Sequence, residues 1–189
     1  MKPVMHLLSG GLDSTVLLYD LIAQECRVHC LLIDYGQTHK RELELAKWHC
    51  FQTKTLYTCV VLPQLKGSLL TDGTGSKIVP NRNAIFLSFA ISLAASAKAE
   101  AVTIGCNKDD AADFPDCRRE FIEAMTGAAR AAGTGVEVCA PYLDFPKRQV
   151  VQIGRKLSVP LDHTWSCYAG NVDPCGVCDA CIKRAEAMQ

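Results

Sequence analysis

At 189 residues, 49% of them hydrophobic, the chain is long enough for one well-filled core, and it has no apolar run approaching the roughly 20 residues that a membrane crossing requires. Twenty basic and twenty acidic side chains cancel, which excludes a global field that would gather nucleic acid or anionic lipid. Eleven cysteines, an odd number behind a start too short in apolar residues for a secretion signal, favour a cytoplasmic metal-binding protein over a disulfide framework.

Short apolar runs alternate with longer helix-like ones, the pattern of a parallel α/β sheet. The expected elements are a strand at 4–8, a helix at 13–23, a strand at 28–33, a helix at 39–51 and a strand at 55–62. A glycine- and proline-punctuated loop then fills 63–83, of a length more often functional than idle. A buried helix at 83–99, a strand at 101–105, a helix at 116–132, a strand at 136–140 and a helix at 146–157 follow, with Pro146 suited to a first turn. This gives an open five-stranded parallel sheet flanked by helices over 1–160. The cysteine-rich texture of 161–189 marks a small metal-binding appendage.

Between the first strand and helix lies Ser9-Gly10-Gly11-Leu12-Asp13-Ser14. Its glycines permit φ > 0 and close approach of a ligand to the backbone. Successive N–H groups and the positive end of the following helix make an anion nest, for which phosphate is the expected guest. The spacing fits neither a Walker A loop nor the Gly-x-Gly-x-x-Gly of dinucleotide binders. The bland alternative is a glycine turn in which Asp13 and Ser14 only cap a helix.

Cys167, Cys175, Cys178 and Cys181 form C-x7-C-x2-C-x2-C, two overlapping knuckles suited to tetrahedral Zn²⁺, with an iron–sulfur cluster as the less favoured occupant. Such a metal staples a tail too small for its own core. Cys26, Cys30, Cys50, Cys59, Cys106 and Cys139 lie in or beside apolar runs and read as inert small hydrophobes, and Cys117, with no adjacent base, as a packing residue.

The glycine loop resembles the pyrophosphate-binding loop of the N-type ATP pyrophosphatases, which split ATP into AMP and pyrophosphate and share a nucleotide-hydrolase-like α/β fold. With that loop and the cysteine knuckle, "DYGQTHKRE" (34–42), "FPDCRREF" (114–121) and "TWSCY" (164–168) are collinear with one branch of that superfamily. On them the chain resembles QueC, the 7-cyano-7-deazaguanine synthase family of queuosine biosynthesis. The resemblance implies ATP- and Mg²⁺-dependent conversion of 7-carboxy-7-deazaguanine and ammonia to the nitrile, through an acyl adenylate and an amide. It also implies a homodimer acting on small molecules, with no nucleic acid or membrane partner.

Carried over residue by residue, the ATP-binding segment is Leu8, Ser9, Gly10, Gly11, Leu12, Asp13, Ser14, Thr15, Val16, Leu17 and Leu18, joined by Asp34 at the carboxyl edge of the second strand. Catalytic roles fall on Asp13, Ser14, Arg82 and Lys147, the lysine meeting a developing pyrophosphate. Gln37, His39, Asn83, Asp116 and Arg118 are the substrate candidates, against plainer roles for His39 as an exposed first-turn residue and Asp116 as a helix-start carboxylate. Trp165 and Tyr168 flank Cys167, where burial beside the metal competes with stacking on a base.

The chain departs from the family pattern in two places. Asn81 replaces a glycine, a change the αL tolerance of asparagine accommodates, and "NKDDAADFPDC" lacks a customary Ser-Gly. The second departure leaves open an enzyme that stops at the amide or passes the acyl group to another amine. A tRNA-sulfurating pyrophosphatase and a zinc-stabilised nucleotide-binding module without turnover are the remaining alternatives.

Overall fold

The computed structural model describes all residues from Met1 to Gln189. Five parallel strands, β1 (Pro3–Leu7), β2 (Arg27–Asp34), β3 (Leu56–Val61), β4 (Ala101–Thr103) and β5 (Glu137–Cys139), pair in the order β3-β2-β1-β4-β5. The order reverses between β1 and β4, and a crevice opens beyond the carboxyl ends of strands at such a point.

The pleat of β1 sorts its side chains between two layers. Met5 and Leu7 join Leu31, Ile33, Val102 and Val138 in a core covered by α3 (Arg82–Ser96) and α5 (Arg119–Ala131), through Leu87, Ala90, Ile91, Ala94, Ile122 and Ala129. Val4 faces the other way, toward α1 (Leu12–Ala23) and α6 (Lys147–Lys156), where Val16, Leu17, Leu21, Val150 and Val151 pack. Leu8, Cys30 and Leu32 meet Leu43, Ala46 and Cys50 of α2 (Arg41–Thr53) on that same face. Strands covered on both faces are apolar without alternation, which is why β1 and β2 were readable as short continuous runs.

His6 sits fully buried in the middle of β1, 2.9 Å from Thr103 Oγ1 of β4 and 2.8 Å from the Ser14 carbonyl of α1. Burial pushes its pKa down to about 4, so it is a neutral cross-link between β1, β4 and the first turn of α1.

Several boundaries differ from the sequence expectation. Helix α2 begins at Arg41 rather than 39, and α5 at Arg119, because Pro115–Cys117 forms a separate 3₁₀ turn. Pro146 is the extended N-cap of α6, not a first-turn residue. Strand β4 stops at Thr103 and α3 at Ser96, with Ser88, Phe89, Ser92 and Ser96 exposed, so α3 buries one face and not its whole girth. Asn81 adopts φ 56°, the left-handed conformation that its αL tolerance allows. Two helices were not anticipated: α4 (Lys108–Asp113), set by a capping box between Asn107 and Asp110, and α7 (Asp179–Met188). The first is too short for periodicity to register, and the second starts inside the cysteine knuckle and buries only Cys181 and Ala187. Cys59, read as an inert small hydrophobe, lies exposed on the edge strand β3. No helix is long and apolar enough to cross a membrane.

Helix α7 lies against the main body, with Ala187 in the core cluster of α1 and α6. Arg184 donates to Thr164 Oγ1 at 2.6 Å and to the Leu161 carbonyl at 2.7 Å, tying α7 to the turn after α6.

Candidate active site

Leaving β1, the chain turns sharply so that α1 can start against the sheet. Gly10 takes φ +86°, and a Cβ there would fall 2.0 Å from the Glu42 carbonyl of α2, so no other residue fits without moving backbone. The turn is held from within. Ser9 N–H donates to Ser14 Oγ at 3.3 Å, Gly11 N–H to Ser9 Oγ at 3.1 Å, and Ser14 Oγ–H to the Gly11 carbonyl at 3.2 Å. From outside, Trp165 N–H donates to the Gly10 carbonyl at 2.9 Å, so the segment leading into the cysteine knuckle braces the loop. Gly105, following β4, packs so closely that a Cβ would lie 2.8 Å from Ser14 N. The ends of β1 and β4 thereby meet at the positive start of α1.

A cavity of about 270 Å³ opens there, floored by Leu7, Leu31, Ile33 and Ile104 from the carboxyl ends of β1, β2 and β4. Of the loop, Leu8, Ser9, Gly11, Leu12, Asp13 and Ser14 line it. Gly10 turns the chain behind the wall. Thr15, Val16, Leu17 and Leu18 point into the core beneath α1.

Two charged clusters face this space. In the first, Lys147 Nζ lies 2.6 Å from Asp13 Oδ2, with both side chains about 15% exposed, and Asn107 Nδ2 donates to Asp13 Oδ1 at 3.0 Å. Burial works against the ammonium, but Asp13 and Asp110 outweigh it and hold Lys147 cationic above the ordinary lysine value. Asp110 is pushed up to about 6, first by burial and then, against the opposing pull of Lys147, by the charge of Asp13.

In the second, Arg82 at the start of α3 lies over the rings of Tyr35 and Phe86, its carbon 5.8 and 5.9 Å from their centroids. Glu42 and His39 stand beside it in the wall, His39 Nε2 3.5 Å from Glu42 Oε2. Gln37 Nε2 donates to Glu42 Oε1 at 3.1 Å. Asn83 Nδ2 donates to the Asp116 carbonyl at 3.3 Å and contacts Cys117 Sγ at 3.7 Å.

The structure brings Asp13, Ser14, Arg82, Lys147, His39 and Asn83 to one cavity. It keeps four other candidates off the wall. Asp34 accepts from Gly36 N–H at 3.0 Å and Lys40 Nζ at 3.1 Å; burial opposes them, yet these partners hold its carboxyl below the usual range. Gln37 is 1% exposed and fastens its own loop by accepting from Tyr35 N–H at 2.9 Å. Asp116 contributes its carbonyl to Asn83, and Arg118 Nε is spent on the Ala111 carbonyl at 3.0 Å. His39, expected in an exposed setting, is 6% exposed, because the loop before α2 folds inward over the sheet edge.

The family model described as queuosine biosynthesis protein QueC matches residues 3–189. A 7-cyano-7-deazaguanine synthase of Nostoc punctiforme is 40% identical over 213 aligned positions, covering 100% of this chain and 95% of that one. One of the same name from Archaeoglobus fulgidus is 39% identical, covering 100% and 86%. The chain belongs to the QueC family. Solved structures agree on the fold alone. A U34-tRNA thiolase, NcsA, from Methanococcus maripaludis superposes at TM-score 0.60 with 19% identity, covering 99% of this chain, which spans 63% of the thiolase chain. An NMN synthetase from Francisella tularensis gives 0.58 with 16% identity, covering 92% and 69%.

In this QueC chain the four knuckle cysteines converge, their sulfurs all within 4.8 Å of one another. A tetrahedral ion with sulfurs at about 2.3 Å sets them roughly 3.8 Å apart, so the cluster fits a single metal ion after small closure. Cys175 N–H donates to Cys167 Sγ at 3.2 Å and Trp165 Nε1 donates to the Cys167 carbonyl at 2.8 Å. Trp165 and Tyr168, on either side of Cys167, both also line the cavity. Cysteine knuckle and glycine loop are thus joined through one tryptophan.

Sequence reasoning missed Tyr35, Glu42, Phe86, Asn107, Asp110 and Lys183, all at or next to this cavity. A signal existed only for Asn107 and Asp110, whose N-x-x-D spacing is a capping box.

Proposed function

We propose that this chain makes 7-cyano-7-deazaguanine from 7-carboxy-7-deazaguanine, ammonia and two ATP, in the queuosine pathway. The observation that carries the reading is a glycine-loop cavity in which Asp13 and Lys147 meet, in a chain some 40% identical, end to end, to synthases of that name.

The substrate carboxylate attacks the α-phosphorus of ATP, giving the acyl adenylate and pyrophosphate. Ser9, Gly11 and the first turn of α1 receive the β- and γ-phosphates. Lys147, kept cationic among Asp13 and Asp110, follows the negative charge that grows on the departing pyrophosphate. Asp13 and Asp110 are the residues that would hold Mg²⁺: two carboxylates face one cavity, and Asp110, pushed up first by burial and further by the charge of Asp13, is a group whose ionised form a cation would favour. When bound, that ion neutralises phosphate charge. Arg82, stacked on Tyr35 and Phe86, offers a fixed cation to the substrate carboxylate or to a phosphate. Ammonia displaces AMP to give the amide, and a second adenylation on the amide oxygen permits elimination to the nitrile.

Zn²⁺ is the ion we assign to Cys167, Cys175, Cys178 and Cys181, because a four-iron cube, with one thiolate per iron, spreads its sulfurs wider than 4.8 Å. Its part is to fix the tail whose Trp165 braces the loop.

The test supplies ATP, Mg²⁺, ammonium and 7-carboxy-7-deazaguanine and follows products by mass spectrometry. The reading expects the nitrile with two AMP per product. Release of ADP and orthophosphate overturns adenylation. Accumulation of the amide alone overturns the second step and assigns the shorter "NKDDAADFPDC" loop to an amide-forming enzyme.

A further inference from the structure

The proposed conversion strips one nitrogen completely. Ammonia brings three N–H bonds and the nitrile nitrogen keeps none. One proton leaves as the C–N bond forms and AMP departs; two leave as the adenylated amide loses its second AMP. Three protons from one nitrogen need an acceptor within reach of it, and the residues of the phosphate cluster are committed. Asp13 is held by Lys147 and Asn107, and Asp110 receives the Asn107 N–H as part of the α4 cap.

The second cluster is not committed. His39 Nδ1 is one of two buried side-chain polar atoms in the chain without a hydrogen-bond partner, in a residue 94% buried that lines the cavity wall. An orphan of this kind is costly in a core and persists where a ligand completes it. Its other nitrogen, Nε2, faces Glu42 Oε2 at 3.5 Å, and Gln37 fixes that carboxylate from behind. Carboxylate, imidazole and open nitrogen in sequence are the arrangement of a general base oriented by an acid.

We propose that His39 and Glu42 form the proton acceptor of the nitrogen-transfer steps, His39 as the catalytic residue and Glu42 as the residue that positions and relieves it. His39 Nδ1 takes a proton from the substrate nitrogen while its Nε2 proton passes to Glu42 Oε2. The carboxyl then releases that proton to water and the imidazole exchanges its Nδ1 proton for one on Nε2, which resets the pair. The elimination gives up its two protons in turn, the first as the cationic adenylated amide becomes the neutral imidate and the second as AMP leaves, so each transfer balances without another reactant. This assignment rests on the functional reading above.

The electrostatics suit the direction of transfer. Burial, then Arg82, push His39 down to about 4, and burial, against the pull of Gln37 and Arg82, pushes Glu42 up to about 7. The imidazole is neutral at working pH and the proton comes to rest on the carboxylate. Arg82 from α3 and Tyr35 after β2 are the other charged or titratable groups set against the pair.

The experiment compares wild type, His39→Gln and Glu42→Gln in two assays: pyrophosphate release with the deazaguanine acid and ATP without ammonia, and amide and nitrile formation with ammonia. The expected result is that the ammonia-dependent steps fall about 100-fold or more in His39→Gln, at least tenfold further than acyl-adenylate formation. In Glu42→Gln the rise of kcat with pH through about 7 flattens, while KM for the acid changes little. Equal losses in both assays, or an unchanged pH profile, make the pair structural or substrate-binding and overturn the proposal while the functional reading stands. A wild type that releases no pyrophosphate with this acid overturns the functional reading, and the proposal with it.

Discussion

Lys147 reaches Asp13 across the cavity from a different helix, and each is buried enough that neither charge is tolerable alone. Lys147→Met keeps the stem and removes the charge, so kcat/KM for ATP falls about 10²- to 10³-fold in a pyrophosphate-release assay. Glu42 carries a prediction of opposite character. Its folded pKa of about 7 lies above the ordinary carboxyl value, so its contribution to stability is fully present below about pH 4.5 and is lost as pH rises through 7. Glu42→Gln keeps the Gln37 hydrogen bond without the charge. Thermal unfolding at pH 8 therefore shows the variant more stable, by a penalty on the order of 2 kcal/mol, and the gap closes at pH 4. Asp13 was legible because it sits in a spaced glycine motif. Glu42 was not, since on α2 it reads as one more first-turn acid, and only the tertiary fold leaves its side chain 13% exposed beside His39.

At the scale of elements, the six-residue α4 shows how a short helix serves a site. Its cap residue Asn107 accepts from Asp109 and Asp110 N–H at 2.9 and 3.1 Å while its amide donates to Asp13. Asn107→Ala removes both at once. The loss of the cap costs about 1 kcal/mol in unfolding, and the freed Asp13 raises KM for ATP, which separates this variant from a purely structural one. Strands β1 and β2 were readable as short continuous apolar runs, and helices α1, α2, α3, α5 and α6 as the longer apolar segments between strands. Helices α4 and α7 were not, because a cap holds the one and the contacts of the tail hold the other, rather than a repeating apolar face.

Across the molecule, the tail and the glycine loop are one mechanical unit. Trp165 bonds the Gly10 carbonyl through its backbone and the Cys167 carbonyl through its indole, so the knuckle sets the position of the loop. Removing the metal with a strong chelator lowers the melting temperature and raises KM for ATP together. Elemental analysis of the untreated protein finds about one zinc per chain, and re-addition restores both values. Cys178→Ser reproduces the apo behaviour in a protein that retains α1 and β1. The sequence by itself determined the alternating α/β order, the glycine loop and the four-cysteine knuckle, because each is written in local spacing: apolar runs of strand and helix length, glycines where φ turns positive, thiols at the reach of one ion. Only the tertiary structure decided that buried His39 meets a largely covered Glu42, that Gln37, Asp34 and Arg118 are engaged away from the cavity, and that a tail tryptophan braces the loop. Those facts come from segments distant in the chain meeting at a sheet edge, and local spacing carries no record of such meetings.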